Sequence, residues 1–429
     1  MSRAEAGTCR VAIVGAGISG LAAAWSLRDL DLRVLEAADL VGGRLRTETR
    51  DPYWLNLGAH VLLRGGPMAT LAAEAGVGLI EPPGEFLAIA LGGRVVRARS
   101  GLSALLGLPL SLPARLSLAR VGWRMARARR LGQARLDRMT FAALLGPMHP
   151  EVEALMRVVA NRLTGELDQL SAWVGVNGFR HLWLGSRLNI DGGSAALPAA
   201  LHQALGARIE TGARVGRIRQ AADHVEIEYR RHGTDHRLAA ETCIVAIPAP
   251  LARDLVADLP ADRDGALARF RYTPFVVAGL FTGETGAMPW DDLYAVAVPG
   301  RSFCMLFNPA NALRGAGPRR PGGSLVVYAV ADRAAALLPL ADREIERRYL
   351  DDLTAIFPQL RGIVREVVIQ RWPLGTALGY PGRAADVDSL AAGWDRIAFA
   401  GDYMMPADGV DASQSGRIAA ATIRARLGG

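Results

Sequence analysis

Apolar positions near the start of the chain change from a strand-like run to a helix-like period. Residues 11–14 are all apolar and include β-branched types, which predicts a buried strand. Ile18, Leu21 and Trp25 then recur at intervals of three and four residues, which predicts a helix. A second strand is predicted at 32–35. The chain therefore opens with a strand, a turn, a helix and a further strand.

The same kind of pattern predicts elements farther along the chain. Apolar, β-branched runs predict strands of a second sheet, and helical periodicity runs through a middle segment. A short apolar strand near the end precedes a closing helix. The segments are 140–171 for the helices, 275–281 and 325–330 for the strands, 396–402 for the short strand, and the region after 408 for the closing helix.

Three glycines occupy the turn between the first strand and the first helix. Gly15 permits a tight turn, Gly17 lets a pyrophosphate approach the backbone at the helix N-terminus, and Gly20 allows close packing of helix on strand. Glu36 ends the second strand, where a carboxylate can accept from a ribose 2′-hydroxyl. That acid argues against a 2′-phosphate and hence against NADP, while NAD and FAD both remain open.

The residues after Glu36 distinguish these two cofactors through a resemblance. Gly42-Gly43-Arg44 and then Gly58-Ala59-His60 resemble the flavin-binding signature of the amine oxidase, protoporphyrinogen oxidase and phytoene desaturase superfamily. The end of the chain resembles the closing motif of the same superfamily, with Ala400-Gly401-Asp402 before the last helix. Segments 191–201, 213–218 and 243–248 resemble its middle block.

The resemblance implies an α/β fold in which a Rossmann-type, glutathione-reductase-like FAD-binding domain is interleaved with an α+β substrate domain. The expected FAD-binding segments are 1–65, 190–260 and 385–429, and the expected substrate-binding segments are 66–189 and 261–384. It also implies non-covalent FAD, because no cysteine lies close to the closing motif and no histidine adjoins Gly15. The implied cofactor residues are Gly15, Gly17, Ile18, Ser19, Gly20, Glu36, Ala37, Gly42, Gly43, Arg44, Gly58, Ala59, Val215, Gly401, Asp402, Val410, Asp411 and Ala412.

Two residues depart from the usual pattern of that superfamily. Asp402 stands where many members have glutamate, which shortens the side chain by one methylene and keeps the acceptor. Asp411 stands where glycine is usual, and we expect it to be the N-cap of the last helix.

The expected activity is dehydrogenation of a C–N bond, or of an adjacent C–C bond, in a hydrophobic small molecule by hydride transfer to flavin N5. Candidate catalytic residues are His60, which could orient or deprotonate the substrate, Arg64, which suits a carboxylate or carbonyl, and the cavity aromatics Trp372 and Tyr380. The alternative is a polyene or porphyrinogen-type desaturase that works at a membrane surface with another electron acceptor.

Composition changes this picture at one point, the electron acceptor. All 50 Lys+Arg residues are arginine. Many amine oxidases of the superfamily carry a lysine that holds a water near flavin N5 and is thought to assist oxygen reactivity, and this chain has none. We expect other positive groups to replace it and O2 to reoxidise the enzyme. Exclusive arginine is also typical of a GC-rich bacterial genome, which suggests a role in bacterial secondary metabolism.

The net charge of +8 raises the question of an anionic partner. Segment 102–138 is basic and amphipathic, so it either covers the substrate domain in solution or lies on an anionic membrane surface. No nucleic-acid-binding module is present, and we expect no nucleic acid partner. Three scattered cysteines make neither a metal site nor a disulfide framework, and no apolar signal segment opens the chain. These features predict a cytoplasmic protein without a metal, with membrane association as the alternative.

Overall fold

The structure is a computed structural model that describes residues 7–84, 88–91, 93–97, 107–128, 130–183, 187–314, 319–405 and 411–428. Its α-helices are α1 (Ile18–Ser26), α2 (Pro67–Glu74), α3 (Leu112–Ala128), α4 (Gln133–Asp137), α5 (Phe141–Leu145), α6 (Pro150–Arg162), α7 (Ala172–Trp183), α8 (Ala196–Leu205), α9 (Ala249–Leu255), α10 (Ala261–Arg269), α11 (Ala331–Leu337), α12 (Asp342–Ile356), α13 (Arg383–Ala391) and α14 (Ala412–Leu427).

The first sheet has parallel strands at its centre and takes strands from the beginning, middle and end of the chain. Its strands are β1 (Gly7–Val14), β2 (Leu32–Leu35), β10 (Ile209–Glu210), β11 (Ala213–Gln220), β12 (Val225–Arg231), β13 (Thr234–Val245) and β19 (Ile397–Phe399). The order is β10-β2-β1-β13-β12-β11, with β19 paired to β13. The β1, β2, β13 and β19 pairings are parallel, so the carboxyl ends of these strands meet at one edge. Ligands bind at this edge in open α/β sheets.

The second sheet is almost entirely antiparallel. Its strands are β7 (Ala88–Leu91), β8 (Arg94–Arg97), β14 (Tyr272–Thr282), β15 (Ala295–Ala297), β16 (Met305–Phe307), β17 (Gly323–Val330) and β18 (Val364–Ala377). They follow the order β18-β14-β17-β16-β15-β7-β8, and the β15–β7 pairing is parallel.

Two small sheets connect these parts. One pairs β3 (Thr47–Arg50) with β4 (Tyr53–Asn56), and the other has the order β5-β9-β6, made of Leu62–Leu63, Arg187–Ile190 and Leu79–Ile80. The predicted strand at 32–35 and the helix start at Ile18 are observed as predicted. Helices α1 and α14 pack closely, since a Cβ on Gly416 would lie 1.9 Å from the backbone oxygen of Ser19.

No helix within the described ranges combines the length and the apolarity that crossing a membrane requires.

Candidate active site: a cofactor cleft and an aromatic cluster

The turn after β1 requires glycine at two of its three glycine positions and leaves open space at the other. Gly15 has a φ of +100°, and a Cβ there would lie 2.8 Å from the backbone oxygen of Ala246. A Cβ on Gly20 would lie 1.9 Å from the backbone oxygen of Gly15, so the backbone of α1 at Gly20 packs directly against the backbone of the turn. Gly17 has no atom of the described residues within 4 Å of its Cβ position, and its φ of −68° is one that any residue can adopt. The turn therefore leaves open space beside Gly17, and we call this space the cofactor cleft.

The first turn of α1 faces the same cleft. Its N-cap is Gly17, which supplies no side-chain hydrogen bond, and Ile18 and Ser19 follow in the first turn. The first backbone N–H groups of a helix have no acceptor within the helix, and they favour an anion. The geometry thus suits a pyrophosphate.

Glu36 is held in place by backbone donors on both oxygens. The N–H of Ala16 donates to Oε2 at 2.6 Å, and the N–H of Ala38 donates to Oε1 at 2.9 Å. Each carboxylate oxygen accepts more than one hydrogen bond, so capacity remains for a ribose hydroxyl. Strand β11 starts beside it, because the N–H of Ala213 donates to the backbone oxygen of Glu36 at 2.8 Å. Val215, two residues on, is buried in that strand, while Ala37 is exposed next to Glu36.

Gly42 and Gly43 run directly beside the glycine turn. The N–H of Gly42 donates to the backbone oxygen of Ala16 at 2.8 Å, and both glycines have positive φ, +105° and +56°. A Cβ on Gly43 would lie 3.3 Å from the Cα of Gly17. The sequence motif therefore reflects a close approach of two backbone segments along the cleft.

Arg44 leaves this segment and forms a bidentate ion pair with Asp402. Its Nη1 and Nη2 lie 2.7 and 3.0 Å from the two carboxylate oxygens. Asp402 also accepts from the N–H of Ala377 at 2.9 Å and from the hydroxyl of Tyr272 at 3.0 Å. Burial would raise the pKa of Asp402, but Arg44 and these hydrogen bonds together hold it below its ordinary value. Asp402 is therefore an anion in a fixed orientation.

The turn at Gly58 and Ala59 lies against the backbone of Arg44. A Cβ on Gly58 would lie 1.9 Å from the backbone oxygen of Arg44, and the N–H of Ala59 donates to that same oxygen at 3.1 Å. Ala59 is exposed. This turn therefore stands beside the Arg44–Asp402 pair and leads directly into His60.

The closing segment brings Gly401 and helix α14 to the same edge of the first sheet. The N–H of Gly401 donates to Oγ of Ser415 at 2.9 Å. Asp411 is the N-cap of α14, as predicted, and accepts from the N–H of Ser413 at 2.9 Å. Ala412 is the first residue of that helix. Val410, another predicted cofactor residue, lies outside the described residues.

His60 belongs to a group of rings that we call the aromatic cluster. Its ring packs edge to face against that of Phe307, with 4.6 Å between the ring centroids. The ring of Phe307 stacks on that of Tyr328, with 6.0 Å between centroids. Phe275 lies 5.5 Å from Tyr328. The aromatic cluster consists of His60, Phe275, Tyr294, Phe307, Tyr328 and Trp372.

Trp372 joins the aromatic cluster to the cofactor cleft. It is paired with Phe275 between β18 and β14, and its Nε1 donates to the backbone oxygen of Leu57 at 2.7 Å, one residue before Gly58. Phe275, Tyr328 and Trp372 are partly exposed. The rings therefore present surface that a ligand could contact.

The imidazole of His60 has one nitrogen engaged and one available. Nδ1 lies 3.0 Å from the backbone oxygen of Gly58, and because a carbonyl only accepts, Nδ1 carries the proton. Burial lowers the pKa of His60, so the ring is neutral. Nε2 then has a free lone pair, and it is buried with no hydrogen-bond partner among the described residues.

The structure places two of the predicted catalytic residues, Arg64 and Tyr380, away from the aromatic cluster. Arg64 is exposed and pairs with Glu81 at 2.7 Å on the surface. Tyr380 is buried after the end of β18, where its hydroxyl donates to Asp386 at 2.5 Å and its ring packs on Phe270. Arg64 follows β5 with its side chain at the protein surface, and Tyr380 lies in the hydrophobic core that includes Tyr403. Neither side chain therefore belongs to the aromatic cluster.

The sequence analysis missed two residues that hold the site together. The hydroxyl of Tyr272 accepts from the N–H of Ala249 at 3.3 Å as well as donating to Asp402. The Nη2 of Arg383 donates to the backbone oxygens of Asp402, Tyr403 and Met405 at 2.9, 3.0 and 3.2 Å. Neither residue lies in a recognisable motif, so no local signal pointed to them.

The fold and this arrangement define a flavin-dependent amine oxidoreductase. Residues 18–424 match the family described as flavin containing amine oxidoreductase, and the chain belongs to that family. Cyclohexylamine oxidase from Brevibacterium oxydans IH-35A superposes with a TM-score of 0.79 at 22% identity, covering 98% of this chain and 100% of that one. Putrescine oxidase bound to putrescine gives a TM-score of 0.75 at 21% identity with the same coverage. At these identities the likeness establishes the fold.

A curated sequence matches this chain over a short stretch. A Drosophila melanogaster protein described as possible lysine-specific histone demethylase 1 is 43% identical over 75 residues. These residues are 17% of this chain and only 8% of that relative, so the chain spans a small part of it.

The cofactor is therefore FAD, bound without a covalent link, and the protein is an FAD-dependent oxidase or dehydrogenase. The residues present fit it. The open side of Gly17 and the start of α1 suit the pyrophosphate, and Glu36 suits the ribose. The anionic Asp402 suits a hydroxyl-bearing chain such as the ribityl group.

Proposed function

We propose that the protein oxidises a C–N bond, or a C–C bond next to nitrogen, in a hydrophobic small-molecule amine. The observation that carries this proposal is the lone pair of His60 Nε2, buried inside an aromatic cluster next to the cofactor cleft. An apolar amine would place its carbon skeleton against Tyr328 and Trp372 and offer an N–H to His60. The similarity to cyclohexylamine oxidase and putrescine oxidase supports an amine as the substrate.

The residues contribute binding, orientation and a proton acceptor. FAD, when bound, takes up the two electrons and the hydrogen that leave the substrate carbon. His60 accepts from the amine N–H and keeps the nitrogen lone pair available, while the aromatic cluster excludes water. Arg44 and Tyr272 hold Asp402 in one orientation on the cofactor side of the cleft.

We further propose O2 as the electron acceptor, so that each turnover converts an amine, water and O2 to a carbonyl compound, ammonia and peroxide. Without lysine, the positive groups near the cleft are the guanidinium of Arg44 and the N-terminus of α14. Both favour a developing negative charge on oxygen.

The same proposal assigns the two large sheets to two interleaved domains. We propose that segments 1–65, 190–260 and 385–429 bind FAD, and that segments 66–189 and 261–384 bind the substrate. The topology supports this assignment, because the strands of the first sheet lie within the former segments and those of the second sheet within the latter. We propose a bacterial, cytoplasmic enzyme of biosynthesis, supported by the all-arginine composition and by three free, buried cysteines.

The test is turnover of a panel of alicyclic, arylalkyl and aliphatic amines, measured by oxygen uptake and by peroxide and ammonia release. We expect equal amounts of peroxide and ammonia with an apolar amine. His60→Ala should lower kcat by about a hundredfold or more, and the matched control His232→Gln, in an exposed turn, should leave it unchanged. Failure with every amine, together with quinone-dependent desaturation of a polyene or porphyrinogen, would favour the alternative activity instead.

A further inference from the structure

Among the described residues, the contacts of helix α3 (Leu112–Ala128) come from one side. The hydroxyl of Ser117 accepts from the N–H of His149 at 2.9 Å, and a guanidinium N–H of Arg124 donates to the backbone oxygen of Leu145. The anchored side consists of the buried residues Ala114, Ser117, Val121, Met125 and Ala128, spaced by three and four positions.

The opposite side carries large apolar residues in solvent. Leu112, Leu116 and Trp123 are 78%, 63% and 61% exposed. Their spacing of four and seven residues puts them in one line along the helix. Singly exposed apolar residues are ordinary on protein surfaces, but an aligned set on one helix marks an interaction surface.

Arginines stand on the same line. Arg120 and Arg127 are exposed, and the guanidinium of Arg127 lies 5.4 Å from the ring centre of Trp123. The sequence around this helix carries positive charge only, since residues 86–136 contain ten arginines and no aspartate or glutamate. We call Leu112, Leu116, Arg120, Trp123 and Arg127 the outer face of α3.

We propose that the outer face of α3 docks the enzyme on an anionic lipid surface. Arginines pair with lipid phosphates, while Leu and Trp side chains enter the boundary between headgroups and acyl chains. In this arrangement the helix lies in the plane of the membrane surface and the protein does not cross the bilayer. The proposal does not depend on the identity of the substrate. Of the basic segment 102–138, residues 102–106 and Arg129 lie outside the described residues and are not needed for the proposal.

The experiment is co-sedimentation of the purified, FAD-loaded protein with vesicles of phosphatidylcholine, with and without phosphatidylglycerol. We expect binding only when phosphatidylglycerol is present, with release at about 1 M salt, where the Debye length is about 3 Å. Replacing two surface arginines, Arg120→Gln with Arg127→Gln, should weaken binding by about thirtyfold. Leu116→Ser with Trp123→Ser should weaken it by roughly tenfold or more.

Matched controls remove the same groups elsewhere. Arg343→Gln with Arg361→Gln removes two exposed charges, and Leu251→Ser with Ile418→Ser removes two exposed apolar side chains. Both controls should bind as the parent does, and all variants should keep the parent's melting temperature and flavin content. Equal binding to vesicles without phosphatidylglycerol would overturn the proposal. So would a lipid-independent dimer that Leu116→Ser with Trp123→Ser converts to monomer, because a second copy would then be the occupant.

Discussion

Asp411 connects the first turns of helices α2 and α14. Its Oδ2 accepts from the N–H of Met68 in α2 at 2.5 Å, although the two residues are 343 positions apart in the sequence. Its Oδ1 accepts from the N–H of Ser413 in α14. Asp411→Ala should therefore remove two caps and destabilise the protein by about 2 kcal/mol, since one cap contributes about 1 kcal/mol. Urea unfolding measures this loss. Thr140→Ala removes the single cap of α5 and should cost about half as much. Equal losses in the two variants would show that the contact with Met68 adds nothing.

Gly17→Val should separate cofactor binding from folding. Within the part of the chain that the structure describes, no atom lies within 4 Å of the added Cβ, and the backbone there is extended, so we expect the fold to accept valine. The side chain would instead occupy the space proposed for the pyrophosphate. We expect loss of flavin absorbance per chain with unchanged far-ultraviolet circular dichroism.

Gly286→Val is the matched control, because Gly286 is exposed and equally free of neighbours. It should keep its flavin. Full FAD occupancy in Gly17→Val would remove the glycine turn from the cofactor site.

Arg44→Gln should destabilise the protein and move its acid sensitivity to higher pH. Removing one partner of a buried pair is costly, and because Arg44 is 29% exposed we expect about 2 kcal/mol. With Arg44 present, the pKa of Asp402 lies below its ordinary value, so its stabilising contribution exists above about pH 3.9 and is lost as pH falls through the folded pKa. Without Arg44, burial raises that pKa, and flavin release on acidification should begin at a higher pH.

Flavin fluorescence during acid titration and urea unfolding at neutral pH measure these two effects. Arg46→Gln is the control, because Arg46 forms an exposed pair with Glu48. It should match the parent within about 0.5 kcal/mol. A similar shift of flavin release in both variants would contradict a specific role for the Arg44–Asp402 pair.

His60 should give the protein a pH-dependent stability in the mildly acidic range. Burial lowers its pKa below 6.5 in the folded state, so the unfolded chain takes up a proton that the folded protein does not. This contribution is complete above pH 6.5 and decreases as pH falls toward the folded pKa, by at most about 1.4 kcal/mol per pH unit. Urea unfolding between about pH 7 and 5.5 measures the slope. His60→Gln should flatten it, and His232→Gln should leave it intact. An unchanged slope in His60→Gln would mean that His60 takes up its proton over the same pH range in the folded and unfolded states.

The glycine geometry of the candidate cofactor cleft was predictable because its requirements are local. A turn that needs positive φ at Gly15 and backbone contact at Gly20 restricts the residue type directly, and so does the close approach at Gly43. The family and the mixed α/β fold were confirmed for this reason. The ion pair between Arg44 and Asp402 was not predicted as a pair, although each residue was identified within its own motif.

The aromatic cluster was less predictable because long-range strand pairing assembles it. Phe275 and Trp372 meet through the β14–β18 register, and Phe307 and Tyr328 come from two other strands of the second sheet. No single strand indicates which of its rings face a ligand, and β18 even carries Arg, Glu and Gln beside Trp372. Tyr380 illustrates the difficulty, since it follows Trp372 closely in sequence and lies in a different core.

The Arg44–Asp402 pair also dictates when the enzyme can mature during synthesis. Its partners are 358 residues apart, and β19 completes the first sheet only beside β13. A ribosome-bound chain that has emerged as far as the second sheet already has its glycine turn, but Arg44 has no counter-ion and helix α1 has no α14 to pack on. Domains usually fold as the chain emerges from the ribosome, and here that order cannot complete the first sheet before its last strand is made. We therefore expect flavin to bind only after the last helix has been translated, so a chain truncated before that helix should be colourless.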